Sequence, residues 1–209
     1  MENQMKQIGM LVLSWLVLFM SYPAYGDSKV QITNIKPKHY DEHSNSFQSA
    51  PLKIEYDTDS KQFTFTISES PNITVFLING DSADFLLQVI EKYLQWNQKA
   101  IEKEVTLTKE LSKLDAEITF WRTATGAVYT GGKEELTLTF ASRSSIDHRL
   151  AIKFPQFTSE FTKYVSHWPK TLYLDFNDAT KLKETLSEEG LQKLIVKANK
   201  QVAIEAEFN

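Results

Sequence analysis

Residues 73–103 have the sequence ITVFLINGDSADFLLQVIEKYLQWNQKAIEK, a short apolar run followed by a turn and a long amphipathic segment. The apolar content of residues 73–78 is nearly continuous, which predicts a central strand buried on both faces. Asn79-Gly80 ends that strand, and Asp81 has a side chain suited to the N-cap of a helix. We therefore predict one long helix that begins at Ser82 and ends near Lys103.

Apolar side chains fill about half of the circumference of this predicted helix, and polar side chains fill the rest. An apolar arc of that width packs on a sheet, so the helix is expected to cover one sheet face. Asn97 lies within the arc, and because buried polar groups need partners we expect it to hydrogen-bond to a strand backbone. The arc consists of Phe85, Leu86, Val89, Ile90, Tyr93, Leu94, Trp96, Ala100 and Ile101.

Period-two alternation on both sides of this segment predicts strands, at residues 52–56, 63–67, 105–111, 116–120, 136–140, 148–154 and 172–176. Helical spacing predicts a short helix at 158–167 and two C-terminal helices at 179–186 and 188–199. A closing strand is predicted at 202–208. This order predicts an α+β fold, with an antiparallel or mixed sheet of roughly seven to nine strands and the long helix on one face. Residues 27–51 are predicted to be an extended N-terminal arm, and residues 52–209 a single globular domain.

The N-terminal residues predict export. Ile8 to Met20 is almost wholly apolar, and Ala24-Tyr25-Gly26 supplies small residues at the positions that a signal peptidase recognises. As a helix the apolar run would span only about 20 Å, less than the roughly 30 Å of a bilayer core. We predict a signal peptide over residues 1–26 that is cleaved before Asp27, and a periplasmic or secreted protein. The alternative is an uncleaved N-terminal anchor.

Composition excludes several classes of site. The chain has no Cys, so a thiolate metal site and a cysteine nucleophile are both excluded. Its formal net charge is −4, and its arginines are Arg122, Arg143 and Arg149, so the basic stripe of a nucleic-acid-binding protein is missing. We therefore expect no nucleic acid partner, no cofactor and no integral membrane segment after the signal peptide.

Two local clusters contain residue types that carry chemistry. His39-Tyr40-Asp41-Glu42-His43 has metal-ligand side chains, but the polar residues around it favour a solvated loop, and we assign no metal site. Ser144-Ser145-Ile146-Asp147-His148-Arg149 brings a hydroxyl, a carboxylate and an imidazole together. A catalytic triad needs these groups to converge through the fold, so a polar hairpin turn is the main interpretation. No catalytic residue is assigned.

Residues 121–133 join two predicted strands and contain Trp121, Arg122 and Tyr129, residue types that dominate binding hot spots. We propose these three side chains as the binding residues. The alternative is a long hairpin that turns at Gly131-Gly132, with its aromatic side chains packed on the sheet. Asn72-Ile73-Thr74 is also a formal N-glycosylation sequon.

The sequence thus predicts an exported non-enzymatic binding protein, such as an inhibitor or immunity-type protein, whose partner is another exported or envelope protein. One alternative is an exported hydrolase with a non-local active site, for which Asp147 and His148 are the first candidates. Another is a structural subunit of an envelope assembly, which would be oligomeric or membrane-bound and expose an apolar patch or a sheet edge.

Overall fold

The computed structural model describes residues 28–32, 35–122, 126–159, 165–206 and 208. The predicted signal peptide and its cleavage site lie outside these residues. The helices are α1 (Gly80–Glu102), α2 (Phe176–Leu186) and α3 (Glu188–Ala206). The strands are β1 (Lys29–Ile32), β2 (Lys38–Asp41), β3 (Ser46–Ser49), β4 (Leu52–Asp57), β5 (Gln62–Glu69), β6 (Asn72–Ile78), β7 (Thr108–Arg122), β8 (Ala127–Ser142), β9 (His148–Lys153), β10 (Phe157–Thr158), β11 (Ser166–His167) and β12 (Leu172–Leu174).

The α+β class predicted from the sequence is confirmed. Ten strands form one antiparallel sheet in the order β1-β4-β5-β6-β7-β8-β9-β12-β2-β3, and β10 pairs with β11 in a separate ribbon. The predicted extended arm, residues 27–51, contains strands at both ends of this sheet. The arm therefore adds β1 to one side and the β2–β3 hairpin to the other.

The core lies between α1 and one face of the sheet, which we call the inner face. Alternate side chains of β4 to β8 meet there in register, as Ile54, Phe65, Phe76 and Ile118 do across four neighbouring strands. All four are almost completely buried. Burying a side chain of this size contributes roughly 1.5–3 kcal/mol, so this layer supplies much of the folding free energy.

The long helix occupies nearly the predicted residues, but its N-cap is Asn79 and not Asp81. The Asn79 backbone is extended, and its side chain accepts a hydrogen bond from Ser82 N at 2.9 Å. Asp81 instead lies in the first turn, where its carboxylate complements the positive end of the helix dipole. Asn97 is buried, but the expected hydrogen bond from its side chain to a strand backbone is not found among the described residues.

Two predictions in the C-terminal half are wrong. The residues predicted as a closing strand continue α3 to Ala206, because this stretch is rich in Ala and Glu, which are strong helix formers. The short helix predicted at residues 158–167 is replaced at its ends by the β10–β11 ribbon, in which Thr158 pairs with Ser166. The middle of that segment lies outside the described residues.

The strands β7 and β8 form one long hairpin, as the alternative interpretation of residues 121–133 proposed. The connection lies between Arg122 and Ala127, not at Gly131-Gly132. A register shift separates the pairs Ile118–Gly132 and Thr119–Thr130, and Gly132 has a φ of 77° at this bulge. A glycine is needed there because other residues adopt this conformation only at a cost.

Within the described residues, no helix combines the length and the apolar character needed to cross a membrane.

The N-cap assignment gives a direct test of the start of α1. Asn79→Ala removes the side-chain acceptor for Ser82 N and should lower the free energy of unfolding by about 1 kcal/mol. Asp81→Asn, the matched control, removes only a charge from the first turn and should lower the free energy of unfolding by about 0.3 kcal/mol. Urea denaturation measures both values, and a larger loss in Asp81→Asn would contradict the assignment.

Candidate functional site

A groove of about 520 Å³ lies beside the C-terminal end of α1. It is bounded by that helix end, by the loop between β8 and β9 (residues 143–147, the β8–β9 loop) and by the start of α2. We call it the acidic groove and define it by three apolar and three carboxylate side chains, Ile101, Ile146, Phe176, Glu102, Asp147 and Asp175. Asn97, Gln98, His148 and Asn177 complete its lining.

The apolar lining is unusually open to solvent. Ile146 at the tip of the loop is 77% exposed, Phe176 is 46% exposed and Ile101 is 42% exposed. Single exposed apolar residues are normal on a protein surface, but these three come from separate elements and meet in one concave site. Such a site can bury the apolar side chains of a ligand.

The β8–β9 loop is held in place by hydrogen bonds that involve the backbone and the side chain of His148. The backbone carbonyl of His148 accepts a hydrogen bond from the Tyr93 hydroxyl of α1 at 2.9 Å. The imidazole Nε2 lies 3.0 Å from the Ser145 carbonyl oxygen, so Nε2 carries the proton, and Nδ1 accepts from the Ser142 hydroxyl at 2.6 Å. The ring also stacks on Phe140 with the centroids 5.3 Å apart.

A second set of contacts supports the loop from the other side of the sheet. The Arg149 guanidinium lies over the Phe47 ring, 3.9 Å from its centroid, and Arg143 lies over the same ring at 5.1 Å. The carboxylate of Asp147 forms an ion pair with Arg149, with Oδ1 and Nε 3.0 Å apart. Because both arginines lie over Phe47 of β3, they hold the loop that carries the exposed Ile146 in place.

The charge of the groove is negative. Asp175 and Asp147 both act on the buried Tyr93, whose pKa lies well above its usual value, chiefly because of burial and then because of the Asp175 charge. The Oδ1 atom of Asp175 also caps α2 by accepting from Asp178 N at 3.0 Å. A ligand in this groove would therefore meet apolar surface beside a rim that favours cations.

The two residues predicted as hydrolase candidates, Asp147 and His148, do line this groove. However, the His148 side chain is almost completely buried, and both of its ring nitrogens are engaged within the loop. The Asp147 carboxylate is paired with Arg149. The contacts of these two residues order the loop, and neither presents a free base to the groove.

The three predicted binding residues lie at the end of the β7–β8 hairpin, but not on one surface. Trp121 pairs with Val128 and Ile73 on the outer face of the sheet. Tyr129 lies on the inner face, where its ring stacks on the buried Phe120 at 5.0 Å. Backbone alternation places Arg122 on the inner face as well. No single flat partner surface can therefore contact both aromatic side chains.

A buried polar cluster fixes the β10–β11 ribbon to the inner face. The Asn72 amide nitrogen lies 3.3 Å from His167 Nδ1 and must be the donor, so Nε2 carries the ring proton towards Thr74 Oγ1 at 3.0 Å. Thr74 has no exposed surface. The glycosylation sequon is therefore occupied by structural contacts, since both its polar side chains bind His167.

Burial lowers the pKa of His167, and the nearby Arg122 charge lowers it further. The carboxylate of Glu69 lies 3.8 Å from His167 Nε2, and burial raises the pKa of Glu69. Lys170 N donates to the same carboxylate at 3.0 Å. In the folded protein the imidazole is thus held neutral by its surroundings.

The candidate metal cluster at residues 39–43 forms the end of β2 and the turn that follows. The carboxylate of Asp41 accepts hydrogen bonds from the backbone and the hydroxyl of Ser44, and these bonds lower its pKa. Across the described ranges, no three His, Asp or Glu side chains are grouped closely enough to hold a metal ion.

Sequence reasoning missed Ile101, Phe176 and Asp175 as site residues. The helical periodicity predicts that Ile101 packs with the apolar arc, but it lies at the margin of that arc and is exposed. Ile146 was noted only as part of a polar turn, and an isolated apolar residue between Ser145 and Asp147 is the signal that could have identified it. Comparison with protein-family models, curated proteins and solved structures finds no match for the chain.

Tyr129 and Val128 allow the roles of the hairpin residues to be separated. Tyr129→Ala removes the stack on Phe120 and should lower the free energy of unfolding by about 2 kcal/mol. Val128→Ala, one residue away on the outer face and 64% exposed in the native protein, should change it by less than about 0.5 kcal/mol. Urea denaturation measures both, and equal small effects would show that Tyr129 is not part of the core.

The His167 cluster should make stability depend on pH. Because the folded pKa is lowered from 6.5, the unfolded chain binds a proton that the folded protein excludes, and stability falls as the pH drops below 6.5. His167→Gln removes this proton uptake, at a cost of about 1 kcal/mol at neutral pH. The unfolding free energies of the native protein and of His167→Gln, measured between about pH 7.5 and about pH 5.5, should converge as the pH falls. Parallel curves for the two proteins would contradict the buried, neutral imidazole.

Proposed function

We propose that the chain is an exported, non-enzymatic binding protein whose acidic groove takes up a surface of a partner protein. The observation that carries this proposal is the convergence of Ile101, Ile146 and Phe176 on one groove with a carboxylate rim. Export rests on the leader-like sequence of residues 1–26.

The lining specifies the chemistry of the partner. Apolar side chains on the partner would cover the three exposed hydrophobic residues, which is where interface binding energy concentrates. Lysine or arginine side chains beside them would pair with Glu102, and would be attracted by Asp147 and Asp175. The partner surface is thus apolar with basic groups at its edge.

An ordered loop supports binding in preference to catalysis. Since the bonds around His148 and the arginine stack on Phe47 hold the β8–β9 loop, little conformational entropy is lost when Ile146 is covered. Hydrogen bonds occupy both imidazole nitrogens, and the ion pair with Arg149 occupies the Asp147 carboxylate, so neither group is free to act as the base of a hydrolytic mechanism.

Site-specific photo-crosslinking in the exporting cell tests this function. The photo-reactive residue benzoylphenylalanine replaces Ile146 in one protein and Val196, an exposed apolar residue of α3, in the matched control. We expect a discrete cross-linked product from position 146 that is missing from position 196, and a basic, apolar surface at the cross-linked site of the partner.

A second test uses the variant Ile146→Ser. It should reduce partner capture by about tenfold, because it removes the most exposed apolar side chain of the groove. It should leave the unfolding free energy within about 0.5 kcal/mol of the native value, since Ile146 is 77% exposed. Identical cross-linking at positions 146 and 196, or unchanged capture by Ile146→Ser, would rule out the groove as the binding site.

A further inference from the structure

A second groove, of about 300 Å³, lies on the other flank of the same helix end. Its walls are Trp96, Ala100, Val105 and Leu107, and its charged side chains are Lys99, Lys103 and Lys109. We call it the basic groove. Its lining contains no carboxylate, although the chain as a whole has a net charge of −4.

The lysines of the basic groove are available for a partner. The ammonium groups of Lys109 and Lys92 each lie 5.5 Å from the centre of the Trp96 ring, so positive charge gathers around that indole. Among the ion pairs of the described residues, none involves Lys99, Lys103 or Lys109. Val105 beside them is 38% exposed.

The last turns of α1 separate the two grooves. Ile101 and Glu102 face the acidic groove, whereas Lys99 and Lys103 face the basic groove. The helix end, closed by the hydrogen bond from Val105 N to the Ala100 carbonyl, is the ridge between them. Each groove thus has apolar walls, and the two lie on opposite flanks of the charged helix end, with carboxylates on one flank and ammonium groups on the other.

We propose that a second copy of this chain is a partner of the acidic groove, in a two-fold dimer built on the C-terminal end of α1. Under a two-fold axis the same patch meets itself, so a patch with acid on one side and base on the other is self-complementary. The basic groove of each copy then lies against the acidic groove of its partner, so that Val105 of one copy faces Ile101 of the other.

This inference rests on the proposed function, because it uses the same acidic groove and names its occupant. The basic groove matches the partner chemistry derived above, with exposed apolar side chains and ammonium groups side by side. Two salt-sensitive charge contacts form for every dimer, since each copy contributes one groove of each kind.

Sedimentation velocity on the chain from Asp27 onwards, which keeps every described residue, tests the dimer. Two charge-reversed proteins are compared with the native chain, namely Lys103→Glu with Lys109→Glu, and Glu102→Lys with Asn177→Lys. All four positions are exposed, so the fold should be retained. The matched control for the first of these, Lys197→Glu with Lys200→Glu, makes the same charge change on α3, away from both grooves.

We expect the native chain and the control to dimerise at micromolar to submillimolar concentrations, less strongly at high salt. Each charge-reversed protein alone should dimerise at least about tenfold more weakly, because like charges then face each other. An equal mixture of the two should form a heterodimer, since their altered patches are complementary again.

A native chain that stays monomeric throughout, or charge-reversed proteins that dimerise as the native chain does, would overturn the dimer. A mixture that fails to associate would also overturn it. The proposed function fails separately: a monomeric chain that still cross-links to another protein from position 146 retains that function, whereas one with neither property has lost both.

Discussion

The hydrogen bond from the Tyr93 hydroxyl to the His148 carbonyl, 2.9 Å long and fully buried, joins the long helix to the loop that forms the candidate site. The Tyr93 ring also packs on Phe140, which in turn stacks against the His148 imidazole. Removing the hydroxyl would leave a buried carbonyl without its partner, at a cost of about 1–3 kcal/mol. This one contact therefore fixes where α1 ends relative to the β8–β9 loop, and with it the width of the acidic groove.

Much of the fold could be predicted because burial imposes simple periods on the sequence. The alternation in β4 and β5 and the wide apolar arc of α1 both reflect one buried face, so they revealed the α+β class. The ends of elements were harder, since Asn79 and Asp81 are equally good caps and only the backbone decides between them. The predicted strand at residues 202–208 failed for a similar reason: a short apolar run fits either a strand or a helix, and here the helix-forming residues around it prevailed.

The site was less predictable because its residues come from distant parts of the chain. Asp147 and His148 drew attention as neighbours in sequence, but Ile101 and Phe176 reach them only through the packing of α1 and α2. For the hairpin residues, the position of the turn decides which side chains share a face. With a turn at Gly131-Gly132, Trp121 and Tyr129 would lie eight residues apart on one strand and share a face, whereas the observed connection after Arg122 pairs Trp121 with Val128 and puts Tyr129 on the other face. A one-residue change in register reverses which face each side chain occupies, so the turn decided the surface.

The charges at the end of α1 make its two flanks chemically different, with carboxylates on one side and lysines on the other. Lys99 and Lys103 lie where the helix dipole favours cations, so helix stability alone accounts for them. Glu102 is different, because a carboxylate in the last turn opposes the dipole by about 0.3–1 kcal/mol. It is held by the amide of Gln98 at 3.1 Å, and it joins Asp147 and Asp175 around an apolar floor. Asp175 caps α2 and Asp147 pairs with Arg149, so the fold accounts for these two carboxylates, whereas α1 gains nothing from the charge of Glu102 beside the exposed Ile101. A cationic, apolar partner does gain from it, and the nearest surface with that chemistry is the other flank of the same helix.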